Sequence, residues 1–274
     1  MEVLLIDVPY KPGSEHNFSV YGDVHEEAHS TDLVAVKKHM DYRASLPNPH
    51  FIGLGDMGDW IMPNDLKRYM PSVKKYDSRT VGFDAIIDKE LQKQVAEWKK
   101  YPWEFIAMGN HEFNVLKRHY TNPAERLCQM LETRYGGYCG FACIRFCPKA
   151  DPRPRHRLTF LYHHGAWGGR VVKGFGGARD WARAWDGWDV CLYGHNHQCV
   201  VHLERNGYPN PKGKLVKRNK FFINCGTWLD TYIQGGTPSY GEIRGYPPAA
   251  IASPLITVRL TKRNMDLTVS IGDQ

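Results

Sequence analysis

The segment FIGLGDMGD, residues 51–59, joins a short apolar run to an abrupt acidic turn. Phe51 to Leu54 has the length and composition of a buried strand, and Gly55 then opens the pattern G-D-x-x-D with Asp56 and Asp59. The segment WEFIAMGNHE, residues 103–112, repeats this arrangement. Both predict strands whose carboxyl ends carry polar residues, which is where sites form in α/β sheets.

Three further clusters follow the same rule. They are D-x-H at residues 23–25, His163-His164 after the run 158–162, and H-N-H at residues 195–197 after the run 189–193. Glycines stand directly before the first polar residue of four clusters: Gly22, Gly55, Gly109 and Gly194. A glycine there allows a sharp turn and a close approach of the backbone to a ligand.

Helical patterns alternate with these strands. The 3–4 spacing of apolar residues predicts a helix over 83–99, and Pro123 predicts another over 123–134 with Thr121 or Asn122 as N-cap. Trp181, Trp185 and Trp188 mark a third helix, where core packing is favoured over a base-stacking platform. The alternation of strands with helices, together with further strands at 255–260 and 267–271, indicates the α/β class.

Composition sets the broad limits. The chain has 274 residues, 42% of them hydrophobic and 24% charged, with a net charge of +7, so one globular domain over 1–274 is expected. No apolar stretch is long enough for a membrane, and the first seven residues lack the features of a secretory signal. Seven cysteines predict free thiols and a cytoplasmic location. The spacing of Cys139, Cys143 and Cys147 favours buried thiols on a strand over a zinc site.

Carboxylate, imidazole and carbonyl groups are the ligands of hard and borderline dications. The polar clusters offer about eight such groups, which fits two ions that share one carboxylate better than a single ion. On an extended strand end, alternate side chains project to the same side, so Asp23 and His25 are expected to reach one metal. His195 and His197 would either do the same or serve two adjacent metals.

The five clusters in order, D-x-H, G-D-x-x-D, G-N-H-E, H and G-H-x-H, resemble the calcineurin-like metallophosphoesterase superfamily. The resemblance runs from residue 23 to residue 197, and the final 77 residues match no motif. It implies an α/β fold: a four-layer αββα sandwich of two mixed β-sheets flanked by helices, with a dinuclear metal site at the strand ends.

The resemblance also implies roles for individual residues. The first metal would be held by Asp23, His25 and His197, and Asp56 would bridge both metals. The second would be completed by Asn110, His195 and His164, with His163 as the alternative to His164. His111 would face the substrate as the acid, hydrogen-bonded by Asp59. The cofactors would be two divalent metal ions; Mn is favoured, and Fe, Zn, Ni or Co also suit an N/O-only ligand set.

The expected reaction is hydrolysis of a phosphodiester by a metal-bridging hydroxide. The protein Ser/Thr phosphatases of the superfamily carry arginines where this chain has Trp60 and Met108. Those arginines neutralise a dianionic monoester, so their absence argues against that branch and for a diester. Two alternatives remain: a phosphomonoesterase acting on a nucleotide or small phosphate, and a nucleic-acid-binding protein with a structural or vestigial metal site.

Two basic runs bear on the substrate. Residues 145–173 contain seven Lys or Arg, of which Arg170 and Lys173 follow the His164 motif and are predicted to bind substrate; residues 205–220 contain six and no acid. These runs suit DNA or RNA, but a small phosphodiester or nucleotide, with the charges merely solvated, is equally compatible. Two irregular segments, 60–82 and 226–254, are expected to shape access, the second as a lid or assembly surface.

Overall fold

The computed structural model describes residues 1–65, 69, 82–149, 151, 153–167 and 174–271. Within them the strands are β1 Glu2–Tyr10, β2 Glu15–Tyr21, β3 Pro49–Gly53, β4 Trp103–Ile106, β5 Arg134–Tyr135, β6 Cys139–Pro148, β7 His156–His163, β8 Val190–Tyr193, β9 Cys199–Pro209, β10 Leu215–Cys225, β11 Pro254–Leu260 and β12 Met265–Ile271. The helices are α1 Leu33–Ala44, α2 Phe83–Trp98, α3 Asn110–His119, α4 Pro123–Leu131, α5 Phe175–Arg183 and α6 Tyr240–Ile243.

The strands form two six-stranded mixed sheets. Sheet A has the order β1-β6-β7-β8-β10-β9, and sheet B has the order β12-β11-β2-β3-β4-β5. Apolar side chains of both sheets, such as Phe18, Ile144 and Phe160, are fully buried between them. Helices α1, α2 and α4 cover the outer face of sheet B, and α5 packs on sheet A. The four-layer αββα sandwich predicted from the sequence is therefore confirmed.

Strand polarity gives the sandwich two distinct ends. The carboxyl ends of β2, β3, β4, β7 and β8 carry the five polar clusters, and we call this the motif end. The turns at 11–14 and 261–264, together with residues 149, 151 and 153–155 between β6 and β7, lie at the other end, which we call the opposite end. The unassigned C-terminal quarter contributes β9 to β12 and so completes both sheets; the single-domain division over 1–274 stays a prediction.

The predicted helices are found with altered bounds. Asn122 is the N-cap of α4, since its side chain accepts a hydrogen bond from the Glu125 N–H, and the helix ends where Glu132 turns left-handed at φ 57°. Helix α5 includes Trp181 but ends before Trp185 and Trp188. Trp188 is buried in the core beneath α5, and the other two tryptophans pack against it. Core packing of the tryptophans is thus confirmed.

All seven cysteines are free thiols. Cys147 is buried, but Cys139 and Cys143 are half-exposed on the outward face of β6, so the prediction that all three are buried was wrong for those two. Alternation along the strand explains this, because odd positions of β6 face away from the inter-sheet core. No helix in the described ranges has the length and apolar character needed to span a bilayer.

Candidate metal centre

The five polar clusters meet at the motif end of the sandwich. Three sets of side chains bring potential ligand atoms within 4.8 Å of one another: Asp23, His25 and His197; His25, Asp56 and His111; and Asp56, His164 and His195. The first and third sets contain the residues that the sequence resemblance assigns to the two metals. The ligand roles themselves stay a prediction, but the geometry brings every one of the proposed ligands into one cluster.

The first set combines a carboxylate with two imidazoles. His25 Nε2 lies 3.9 Å and His197 Nε2 lies 3.6 Å from Asp23 Oδ1. Among the described residues, neither Asp23 Oδ1 nor His25 Nε2 has a hydrogen-bond partner, although both atoms are buried. Unpartnered buried acceptors are costly unless something else satisfies them. A divalent cation between these atoms would do so, and the donor set fits one.

The second set is completed by an amide. Asn110 Oδ1 lies 2.7 Å from His195 Nδ1 and 3.0 Å from His164 Nε2, and His164 Nε2 lies 3.2 Å from Asp56 Oδ2. His164 is fully buried, and its Nδ1 lies 2.9 Å from the Leu54 carbonyl, which accepts the Nδ1 proton and leaves Nε2 toward the cluster. This orientation by a second hydrogen bond is the usual arrangement of a metal-binding histidine.

Asp56 lies between the two sets. Its Oδ2 is 3.2 Å from His164 Nε2 on one side and 3.9 Å from His25 Nε2 on the other. Its Oδ1 accepts a hydrogen bond of 2.8 Å from the His111 backbone N–H, which holds the carboxylate in place. A single carboxylate thus faces both groups of ligand atoms, as a bridging ligand must.

The backbone reaches this geometry through left-handed turns rather than extended strand ends. Asp23, His25, Asp56, His195 and His197 all have φ between 48° and 74°. The expectation that Asp23 and His25 alternate on an extended strand was therefore wrong, although they do meet. Non-glycine residues in this region cost of order 1 kcal/mol each, and such residues concentrate at functional sites.

Two glycines make room for these turns. Gly55 has φ 90°, and a Cβ at Gly109 would stand 2.1 Å from Asp56 Oδ1. Any side chain at position 109 would displace the central carboxylate. The glycines that the sequence places before the polar residues are therefore required by close packing as well as by the turn.

The protein charges set unlike protonation states within the cluster. Burial opposes a charge on His164 and His25, but the Asp56 carboxylate raises the pKa of His164 to about 10, and the Asp59, Asp56 and Asp23 carboxylates raise that of His25 to about 9. Burial lowers the pKa of His197 to about 4. Since a metal binds neutral imidazole, occupation by a cation would release protons from His25 and His164 at neutral pH.

His111 and Asp59 contact each other, but not in the expected way. The His111 Nδ1–H donates a hydrogen bond to the backbone carbonyl of Asp59, and the Asp59 carboxylate Oδ1 lies 3.6 Å from that nitrogen and 3.4 Å from His25 Nδ1. The carbonyl accepts only, so it fixes the proton on Nδ1 and directs Nε2 elsewhere. Asp59 therefore orients the ring through its main chain and adds a charge close to two imidazoles.

His163 lies outside the cluster. Its Nδ1 accepts a hydrogen bond of 2.8 Å from the Gly165 N–H, and its ring packs against Tyr138, Trp167 and Trp181. Adjacent residues at the end of β7 point to opposite faces, so only one of the two histidines can face the centre. The structure places His164 there.

Glu112 is a residue whose role sequence reasoning missed. Its carboxylate accepts hydrogen bonds from the backbone N–H groups of Asp56, Met57 and Gly109 at 2.9 Å, and from Gly58 at 3.4 Å. Burial and the neighbouring Asp56 raise the pKa of this carboxyl to about 7. Its place in G-N-H-E was visible, but the loop that it supports is more than 50 residues away in the chain.

The positions that bear on substrate binding are either apolar or outside the described residues. Trp60 and Met108, where the phosphatase arginines would stand, are buried apolar side chains. Arg170 and Lys173 lie outside the described residues, as does most of the segment 60–82. The segment 226–254 begins as a support: Thr227 Oγ1 donates a hydrogen bond to the Asp23 carbonyl at 3.0 Å, and Trp228 packs in the core beneath α1.

The described cations of the first basic run do not lie near the centre. Strand β7 runs from His156 to His163, so Arg157 is six residues from the motif end, or roughly 20 Å at strand spacing. Arg153 and Arg155 pair with Asp151, and Arg145 pairs with Asp7. The expectation that this run bears on the substrate is therefore not met by its described cations from Arg145 to Arg157, because β6 and β7 carry them to the far end of the sandwich.

The similarity of this chain to known proteins is distant. No protein-family model matches the chain, and no curated protein matches it. Solved structures to which it is similar include a metallophosphoesterase from Sphaerobacter thermophilus, with 13% identity over 93% of this chain and 88% of that one and a TM-score of 0.37. A Vps29 single mutant from Entamoeba histolytica has 10% identity over 94% and 99% of the two chains and a TM-score of 0.34. Such low scores carry no argument, and the fold rests on the sheet topology described above.

Proposed function

We propose that this chain is a calcineurin-like metallophosphoesterase that hydrolyses phosphodiesters at a dinuclear centre. The observation that carries the proposal is the position of Asp56, whose Oδ2 faces His25 on one side and His164 on the other. A carboxylate shared between two nitrogen-rich sets is the arrangement that two neighbouring dications require. The five motifs from residue 23 to residue 197, all at one end of the fold, support the same assignment.

The residues divide into two ligand sets around Asp56. Asp23, His25 and His197 would hold one ion, and Asn110, His164 and His195 would hold the other. A pair of dications supplies Lewis acidity toward phosphoryl oxygens and lowers the pKa of coordinated water. Mn, Fe, Zn, Ni and Co are all compatible with these nitrogen and oxygen donors, and we take Mn as the first ion to test.

His111 is proposed to act as the acid toward the leaving oxygen. Its ring forms an edge-on contact with His25 at 4.6 Å between centroids, so it borders the first ligand set. Because Nδ1 donates to the Asp59 carbonyl, Nε2 is the nitrogen that would face a substrate. The nearby Asp59 carboxylate favours a charged ring, as an acid needs.

A diester is proposed over a monoester because the positions of the two phosphatase arginines hold buried apolar side chains. Trp60 is 5% and Met108 is 6% exposed, so neither position supplies a cation to a dianionic group. The free thiols are in keeping with a reducing compartment such as the cytoplasm.

The test is turnover of bis(p-nitrophenyl) phosphate and p-nitrophenyl phosphate with each of the five metals. Turnover of the diester with Mn supports the proposal, and preference for the monoester would replace it by a phosphomonoesterase. If metal binds but neither ester is hydrolysed, the alternative of a nucleic-acid-binding protein with a structural metal would replace the proposal. His164→Asn should abolish turnover, whereas the matched change His163→Asn, outside the cluster, should retain it.

A further inference from the structure

The second basic run forms an arm at the opposite end of the molecule. Strand β10 pairs with β8 only over Phe221 to Asn224, while β9 and β10 remain paired with each other from Pro209 and Leu215 onward. The two strands therefore continue past the end of β8 as a ribbon of residues 204–220, which spans roughly 20 Å. The other end of β10, at Cys225, touches Asp23.

The base of this ribbon is anchored on its outer face. Arg218 pairs with Asp189 at 2.6 Å, and the Lys220 ammonium lies 3.8 Å from the centre of the Trp188 ring. Glu204 forms an ion pair with Arg179 of α5. These contacts use two of the run's six cations to hold the ribbon, and the ribbon is fixed relative to the sandwich.

The remaining four cations of the run are directed to solvent. Arg205, Lys212, Lys214 and Lys217 are exposed, and within the described ranges none of them has an ion-pair partner. The tip is ordered by Asn210, whose side chain accepts hydrogen bonds from the Lys212 and Lys214 N–H groups at 2.9 and 3.0 Å. Arg205 and Lys217 share one face of the ribbon, since strand pairing places both on the side of the inner sheet face.

Turns of the opposite end add further unpaired cations. Gly13 N–H donates to the Leu260 carbonyl, Lys149 N–H donates to the Tyr10 carbonyl, and the His156 ring bonds the Thr261 carbonyl. These bonds tie together the turns that carry four exposed cations, Lys11, Lys149, Lys262 and Arg263, for which the described structure shows no ion pair. Of the acids nearby, Asp7, Glu15 and Asp151 pair with arginines, and Asp266 stands opposite Arg259 in the β11–β12 register.

We propose that the opposite end, with its β-ribbon arm, binds the phosphate backbone of double-stranded nucleic acid, separately from the metal centre. A two-stranded β-ribbon fits the major groove of a duplex, and cations at its tip and face would then meet phosphates on both sides. Anionic lipid is less well matched, because a flat membrane contacts one plane, whereas these cations extend along an arm and the turns behind it. This inference does not rest on the proposed hydrolase activity.

The test is binding of a fluorescent DNA duplex, in EDTA, over a range of salt concentrations. Lys214→Glu with Lys217→Glu should weaken binding about tenfold or more and reduce the slope of log affinity against log salt by about two. The matched control is Lys38→Glu with Lys89→Glu, which makes the same change in net charge on the exposed faces of α1 and α2 and should leave affinity within about twofold.

The proposal would be overturned by equal loss of affinity in the control pair, by absence of duplex binding at low salt, or by tighter binding to phosphatidylserine-containing vesicles than to the duplex. Circular dichroism and thermal unfolding would establish that each variant is folded. Asp56→Asn should keep duplex affinity, and loss of binding in that variant would place the nucleic acid at the metal centre instead.

Discussion

At the scale of single residues, Glu112 decides where Asp56 stands. One carboxylate gathers four backbone N–H groups from two loops, and it is 1% exposed. Glu112→Gln offers one oxygen instead of two and sets an NH₂ group against backbone donors. We expect metal affinity to fall by ~10–100-fold, as for other groups that orient ligands. Calorimetric titration with Mn would measure this.

Glu97→Gln is the control for that change, since Glu97 is an exposed glutamate of α2 that pairs with Lys37 of α1. Its metal affinity should equal that of the wild type. An unaltered affinity in Glu112→Gln would show that the Asp56 loop holds its shape without this carboxylate.

His111 gives a second residue-scale prediction. His111→Asn should lower kcat by ~10²–10⁴, the range for loss of a general acid, while metal content measured on the purified protein stays near that of the wild type. The reason is that Asp56 and His25 keep their own partners when the ring is removed. Wild-type turnover in this variant would remove His111 from the reaction.

The candidate ligands could be predicted from the sequence because five short patterns occur in order and each ends a strand. The contact between His111 and Asp59 could not, because a D-x-x-D pattern does not say whether a carboxylate or a main-chain carbonyl accepts the hydrogen bond. The role of Glu112 could not be predicted for a related reason: its hydrogen-bond partners are backbone N–H groups, which leave no signature in side-chain patterns.

At the scale of elements, a helix could be predicted from the sequence when it buries many apolar residues at helical spacing. The α2 helix buries Ile86, Ile87, Leu91 and Trp98 at helical spacing, and its bounds were predicted to within one residue. The α1 helix buries only Val36, Met40 and Arg43, so it has almost no apolar stripe. The α3 helix starts inside the polar motif, and its first three residues, Asn110, His111 and Glu112, are all polar, so no apolar spacing marks its first turn.

The first residues of β2 and β3 include a buried pair of histidines, which predicts that stability depends on pH. His16 Nδ1 lies 3.0 Å from His50 Nε2, and His50 Nδ1 lies 2.7 Å from Glu104 Oε1. Burial and His50 lower the pKa of His16 to about 4. In the unfolded chain the ring has its ordinary pKa near 6.5, so between these values the unfolded state binds the extra proton.

The contribution of His16 to stability should therefore be complete above pH 6.5 and be lost as the pH drops toward 4, by up to about 3 kcal/mol. Urea unfolding at pH 7 and pH 4.5 would measure the free energy of unfolding at each pH. His16→Gln should show a smaller difference between the two values. An equal difference in wild type and variant would mean that His16 is already protonated in the fold.

At the scale of the whole molecule, the candidate centre joins the two sheets. Asp23, His25, Asp56 and Asn110 follow strands of sheet B, while His164, His195 and His197 follow strands of sheet A. Each of the two ligand sets takes residues from both sheets. A bound ion would thus add a link between layers that are held together by apolar packing and by hydrogen bonds such as the one from His164 to the Leu54 carbonyl.

Metal should accordingly raise thermal stability. An ion present at 100 times its dissociation constant stabilises the fold by about 2.7 kcal/mol if it binds only the folded state. We expect Mn added to chelator-treated protein to raise the Tm by several degrees, measured by calorimetry. Asp56→Asn should abolish this rise. A rise of the same size in that variant would place the stabilising ion outside the centre.

Because both sheets contribute residues to each ligand set, the geometry of the centre depends on how the two sheets are aligned. A small slip of one sheet over the other would move His164 and His195 away from Asp56 together, because all are fixed to strand ends. Substitutions deep in the inter-sheet core, far from any ligand, would then lower metal occupancy even in variants that remain folded. Packing in the interior of this sandwich would therefore affect the proposed metal centre as well as the stability of the fold.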